Sequence, residues 1–163
     1  MRAYVAVGSN LGDRWRSLGL AARRLRESGA VAVVRASRVW DTAPLGPPQP
    51  RYLNAVLEVE TVLAPRALLA LLQRIERAGH RSRAGVRWGA RTLDLDLLLY
   101  GDRVLSEPGL VVPHAGLASR AFVLAPLAEL APTLVVPGLG RSVEALLAEA
   151  PRGGVAAIGL YPL

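Results

Sequence analysis

Residues 4–7 alternate large and small apolar side chains and run into Gly8, Ser9 and Asn10, which predicts a short strand ending in a turn. In residues 17–27, Leu18, Ala21, Ala22 and Leu25 recur at helical spacing, and Gly29 supplies the stop. Residues 31–42 are β-branched and alternating, hence a second strand. Residues 43–51 contain four prolines and a glycine, so they form a loop rather than a helix or central strand. Alternation returns over residues 52–61. Ala64 and Pro65 then open a helix that continues through Ala78, with Leu68, Leu71, Leu72 and Ile75 facing inward. Residues 80–91 read as polar loop, 92–100 as strand, Gly101 and Asp102 as a turn, and 103–105 as a short return strand. Helices follow at 121–130 and 142–149, and an apolar strand at 155–160.

Through residue 100 the order is strand, helix, strand, strand, helix, strand, which predicts an α+β fold: a ferredoxin-like split βαβ sandwich whose antiparallel sheet carries helices in a second layer. Repeats, low-complexity tracts and interdomain linkers are lacking, so residues 1–163 are expected to form one domain. Such a fold hosts many unrelated activities, and function has to be sought in particular residues.

Composition narrows the search. Without cysteine there can be no disulfide, thiolate metal site or cysteine nucleophile, and the expected location is the cytoplasm. The first apolar stretch is too short for a signal peptide, and no apolar run suggests a membrane span. All 20 basic residues are arginines and the net charge is +7, which calls for an anionic partner without naming it. Arg23, Arg24 and Arg26 belong to the solvated face of a predicted helix. Arg77, Arg81, Arg83, Arg87 and Arg91 instead crowd a glycine-punctuated segment just before two aspartates.

Those aspartates carry the sharpest local signal. In a strand, Asp94 and Asp96 share one face with α-carbons roughly 7 Å apart, while Leu93, Leu95 and Leu97 face the core. Two carboxylates on one face suit Mg²⁺ shared with substrate phosphates; the plainer alternative is a pair of solvent-facing acids. Guanidinium groups grip phosphate oxygens bidentately, and Gly79, Gly85 and Gly89 would let the arginine segment close over a polyphosphate. Contact with nucleic acid, with Trp88 stacked on a base, is the competing reading. Gln73 and Glu76 lie one turn apart and read by default as a solvated helix face. His114 alone is uninformative. Tyr52 and Asn54 share a strand face, a combination that suits a flat heterocycle but also occurs in ordinary sheets.

Taken together, five ordered segments resemble the dihydropterin pyrophosphokinase family. They are Ala6-Val7-Gly8-Ser9-Asn10-Leu11-Gly12-Asp13; Thr42-Ala43-Pro44-Leu45-Gly46-Pro47 with Gln49-Pro50 and Tyr52-Leu53-Asn54-Ala55; Arg87-Trp88-Gly89-Ala90-Arg91-Thr92-Leu93-Asp94-Leu95-Asp96; Val112-Pro113-His114; and Arg120-Ala121-Phe122-Val123-Leu124-Ala125-Pro126-Leu127. The resemblance implies transfer of diphosphate from MgATP to the hydroxyl of 6-hydroxymethyl-7,8-dihydropterin, releasing AMP, in folate biosynthesis. It implies that Asp94 and Asp96 hold two Mg²⁺ ions and that Arg81 and Arg91 stabilise charge during transfer. Gln73, Glu76, Arg83, Trp88, His114 and Arg120 would bind ATP. Tyr52 and Phe122 would sandwich the pterin, Asn54 would hydrogen-bond its edge, and backbone groups of Thr42, Ala43, Pro44 and Leu45 would complete the pocket. Residues 109–111 offer neither cation nor hydroxyl, so nucleotide contacts there are expected to be weaker. The expected partners are these two small molecules, without nucleic acid or membrane, and the expected state is a monomer. Two rival classes remain: a nucleotidyl transferase, which would release pyrophosphate, and a ferredoxin-like RNA-binding module, which the low aromatic count and the paired aspartates oppose.

Overall fold

The structure is a computed structural model that describes residues 1–43, 48–80, 93–151 and 154–163. Its first strand, β1 (Arg2–Ser9), extends past the apolar run on both sides because one neighbouring strand pairs with it along its whole length and the other from Ala3 to Gly8. Asp13 caps α1 (Arg14–Glu27) by accepting from the Arg16 N–H at 3.1 Å, satisfying a donor left free in the first turn. The predicted second strand is broken into β2 (Val31–Ala36) and β3 (Val39–Thr42). The cause is Ser37, which exchanges bonds with Val56: the Ser37 N–H donates to the Val56 carbonyl at 2.9 Å, and the Ser37 hydroxyl accepts from the Val56 N–H at 2.9 Å. Strand β4 (Tyr52–Thr61), helix α2 (Pro65–His80) and strand β5 (Asp94–Tyr100) follow.

The sheet runs β5-β1-β4-β3, with β2 also pairing β4 and every pair antiparallel, which is the predicted ferredoxin-like order. A last strand, β8 (Val155–Gly159), pairs with β3 and extends the sheet at that edge. One prediction changes. The short return strand expected at 103–105 does not pair back on β5; β6 (Leu105–Glu107) and β7 (Leu110–Val112) make a separate hairpin, turned at Gly109 with φ +75°.

Apolar residues of β1, β4 and β5 alternate between two cores. Val5, Val7, Leu53, Leu57 and Leu95 pack under α1 and α2, with Leu18, Leu25, Leu68 and Leu72. On the opposite face, Tyr4, Val56 and Leu98 pack against α3 (Ala121–Leu130) and α4 (Val143–Glu149), with Leu124, Leu127, Val143 and Leu146. The sheet is therefore covered on both faces, one layer more than the helical pattern of the first hundred residues implies. Among the described residues, no helix is long and apolar enough to cross a membrane.

Candidate active site

Three strands and one helix end bring the chemistry together on the α3 side of the sheet. Along the first half of β5, Leu95 and Leu97 are buried in the first core, so the alternation turns Asp94 and Asp96 to the other face. Gly8 stands opposite Asp94, and Ala6 opposite Asp96. On the other flank of β1, Gly8 stands opposite Asn54. The two small residues of β1 thus form a low floor between a carboxylate wall and an amide-and-aromatic wall. Phe122, at the start of α3, rises over that floor with the Arg120 guanidinium 5.8 Å from its ring centre.

These groups line one cavity of about 460 Å³, together with Ala43, Gln49, Tyr52 and Arg120. A second cavity of about 300 Å³ adjoins it through Asp96 and is lined by Gln73, Glu76, Leu97, Leu110, Val111 and His114. The His114 Nδ1 accepts from the Gly116 N–H at 3.0 Å, which leaves Nε2 turned toward Asp96, 3.9 Å from its Oδ1. The backbone of His114 is itself fixed, donating to the Leu98 carbonyl at 2.9 Å.

Glu76 departs from the solvated helix face expected of it. It points into the sheet, and its Oε2 accepts from the Leu95 N–H at 3.0 Å, the amide between the two aspartates. Burial drives its carboxyl up to about 7; the Leu95 N–H opposes the rise, and the carboxylates of Asp94 and Asp96 add to it. Glu76 therefore ties α2 to the strand that carries the two aspartates.

Of the site residues read from the sequence, the cavities gather Ala43, Tyr52, Asn54, Gln73, Glu76, Asp94, Asp96, His114, Arg120 and Phe122. Thr42 is not in the lining but reaches Asn54 through its hydroxyl, accepting from Asn54 Nδ2 at 2.5 Å. Pro44, Leu45, Arg81, Arg83, Trp88 and Arg91 lie outside the described residues, and so does the expectation that the arginine segment closes over the phosphates. Gly8, Asn10 and Gln49 fall in the motif segments of the sequence, which assign them no individual role. Asn10, almost wholly buried, donates to Gln49 Oε1 at 2.8 Å and to the Pro50 carbonyl at 3.0 Å, pinning the loop whose Gln49 enters the cavity. The available signal was the Gly8-Ser9-Asn10-Leu11 motif itself.

The donor set suits a hard cation. Asp94 and Asp96 offer oxygens on one face, and among the described residues no group of three or more His, Cys, Asp or Glu could hold a metal by itself. A cation here would draw its remaining ligands from water and a substrate's phosphates, the habit of Mg²⁺.

Residues 4–132 match the family described as 7,8-dihydro-6-hydroxymethylpterin-pyrophosphokinase (HPPK). The chain is 48% identical over 158 residues to 2-amino-4-hydroxy-6-hydroxymethyldihydropteridine pyrophosphokinase of Pseudomonas aeruginosa, covering 94% of each chain. Against the protein of the same name from Haemophilus influenzae it is 44% identical over 136 residues, 83% of this chain and 84% of that one. Among solved structures, that of an HPPK-DHPS in complex with substrates superposes with a TM-score of 0.73 at 10% identity, a likeness of fold alone. It spans 96% of this chain, whereas this chain spans only 46% of that one.

Proposed function

Because the chain belongs to the 7,8-dihydro-6-hydroxymethylpterin-pyrophosphokinase family, we propose that the larger cavity seats the pterin and that Asp94 and Asp96 face the ATP phosphates beside it. The chain transfers diphosphate from ATP to 6-hydroxymethyl-7,8-dihydropterin, a step of folate synthesis. The observation that carries the residue assignment is the cavity itself, in which Tyr52, Asn54 and Phe122 meet the two aspartates across the floor of β1.

In this reading Tyr52 and Phe122 sandwich the pterin ring, and the Asn54 amide engages its polar edge. Backbone groups of residues 42–45 complete that wall. The second cavity takes the nucleotide, with Gln73, Glu76 and His114 around it and the apolar hairpin residues Leu110 and Val111 against the base. Asp94 and Asp96 would hold two Mg²⁺, whose chemistry is to neutralise the polyphosphate and polarise the transferred group. Held in place by the stacked ring, the pterin hydroxyl oxygen attacks the β-phosphorus and AMP departs. Arg120, in the lining of the cavity, attracts phosphate, and Arg81 and Arg91 stabilise the charge that builds during transfer, with Arg83 and Trp88 holding ATP. Residues 1–163 act as one domain and a monomer in the cytoplasm, without nucleic acid or membrane.

The test is the product. Purified chain with hydroxymethyl-dihydropterin and MgATP should yield one AMP per pterin diphosphate and should stop when the metal is chelated. Release of pyrophosphate without AMP would place the attack at the α-phosphorus and overturn the reading.

A further inference from the structure

We propose that Thr42 is a positioning residue for pterin recognition: its hydroxyl and the bare backbone of Gly8 clamp the Asn54 carboxamide from the two flanking strands. The inference rests on the reading in which Asn54 binds the pterin edge. Asn54 lies on β4 between Gly8 of β1 and Trp40 of β3, its direct partners in the sheet. From the β3 side, Thr42 Oγ1 accepts from Asn54 Nδ2 at 2.5 Å. From the β1 side, a Cβ placed on Gly8 would sit 2.7 Å from Asn54 Oδ1, so the amide can lie this close to β1 only because residue 8 has no side chain.

The clamp leaves Oδ1 and the second Nδ2 hydrogen for a ligand: an acceptor and a donor on one rigid plane. A cyclic amide, such as the pyrimidinone edge of a pterin, presents the complementary donor and acceptor side by side. A free Asn side chain would have to give up torsional freedom to make both bonds, and a preset one does not. Thr42 can serve as the fixed point because it is held itself. Only 1% of it is exposed, and its backbone is paired with Tyr52 in β4 and with Val155 in β8. The outermost strand, which contributes nothing to the cavity lining, thereby steadies the residue that steadies the amide.

Calorimetry on the full chain tests this, with the dihydropterin substrate and a non-hydrolysable ATP analogue titrated separately. Thr42→Val, which keeps the shape and removes the hydroxyl, should weaken pterin affinity about tenfold, the worth of one hydrogen-bond partner. Affinity for the ATP analogue should hold, and Thr42→Ser should restore pterin binding. In an Asn54→Ala background, Thr42→Val should cause no further loss, because the hydroxyl acts only through the amide. Normal pterin affinity in Thr42→Val, or an undiminished loss in the Asn54→Ala background, overturns the clamp while leaving the pterin site standing. Normal affinity in Asn54→Ala alone removes the assignment beneath it as well. Should Thr42→Val fail to fold, Gly8→Ala pushes the amide from the other side with the hydroxyl intact, and it should weaken the pterin selectively; unchanged affinity there counts against the clamp.

Discussion

Asp94 and Asp96 are expendable to the fold and indispensable to the proposed chemistry. Asp96 is exposed and Asp94 only half-buried, on a strand whose buried side chains are Leu95 and the run Leu97 to Tyr100. Replacing either with Ala creates no core cavity, so circular dichroism and thermal melting should stay near those of the parent while turnover falls by orders of magnitude. Full turnover by either variant would remove the metal assignment. Phe122 offers the converse test, because it contacts the second core only with part of its ring. Phe122→Ala should cost pterin binding about 1–3 kcal/mol in lost burial and stacking, with ATP affinity little changed, as calorimetry would read. At this scale the sequence was informative wherever a residue's face follows from its own strand. The strict alternation of leucine and aspartate announced the carboxylate pair before any partner was known. The Thr42 hydroxyl, Gly8 and Gln49 were opaque because what they do depends on neighbours distant in the chain, which no local pattern encodes.

Between elements, the most consequential tie is Glu58 on β4. Its side chain is 3% exposed and is held by Arg2 of β1, by Arg35 of β2 and by the Tyr4 hydroxyl at 3.0 Å. Arg35 also donates to the Leu130 carbonyl at 2.7 Å, carrying the tie to the end of α3. Burial alone would raise the Glu58 carboxyl, but the hydrogen bonds from Arg35 and Tyr4 and the charges of Arg35 and Arg2 outweigh it, and the net displacement is downward. A carboxyl lowered by folding contributes stability above its ordinary value of 4.5 and loses that contribution as pH falls through the folded value. Glu58→Gln should therefore cost about 1 kcal/mol at pH 7, the half-exposed guanidinium groups being screened by water. The deficit should close as unfolding is measured at successively lower pH below 4.5. A deficit that stays constant down to pH 3 would show that shape, not charge, makes the tie. Long helices were legible: in α1 and α2 the apolar positions recur at helical spacing and are the ones buried. The β2/β3 break was not, because Ser37 is compatible with a strand and interrupts one only by bonding to Val56 in a neighbour. The β6/β7 hairpin also escaped, its strands of three residues being too short to show a period.

For the molecule as a whole, the helices cover the sheet on both faces and leave the cavity with Asn54, Asp94 and Asp96 on the α3 side of the strands. The six-element order of the first hundred residues sufficed to predict the sheet, since an antiparallel split βαβ arrangement has few alternatives. The second helical layer could not be placed the same way, because nothing local says which face a later helix will cover. One feature of the sheet sets a dimension for catalysis. Asn54 and Asp94 stand on opposite sides of the same residue, Gly8, so two strand spacings of about 4.8 Å put their α-carbons about 10 Å apart. On the proposed assignment, the gap between the heterocycle at Asn54 and the phosphates at Asp94 is thus set by backbone hydrogen bonding, which varies far less than a loop does. The sheet is a ruler, and β1 is its middle graduation. Lengthening β1 by one residue would leave both walls intact yet turn Val7 or Ser9 up between them, filling the interval across which the hydroxyl must reach phosphorus.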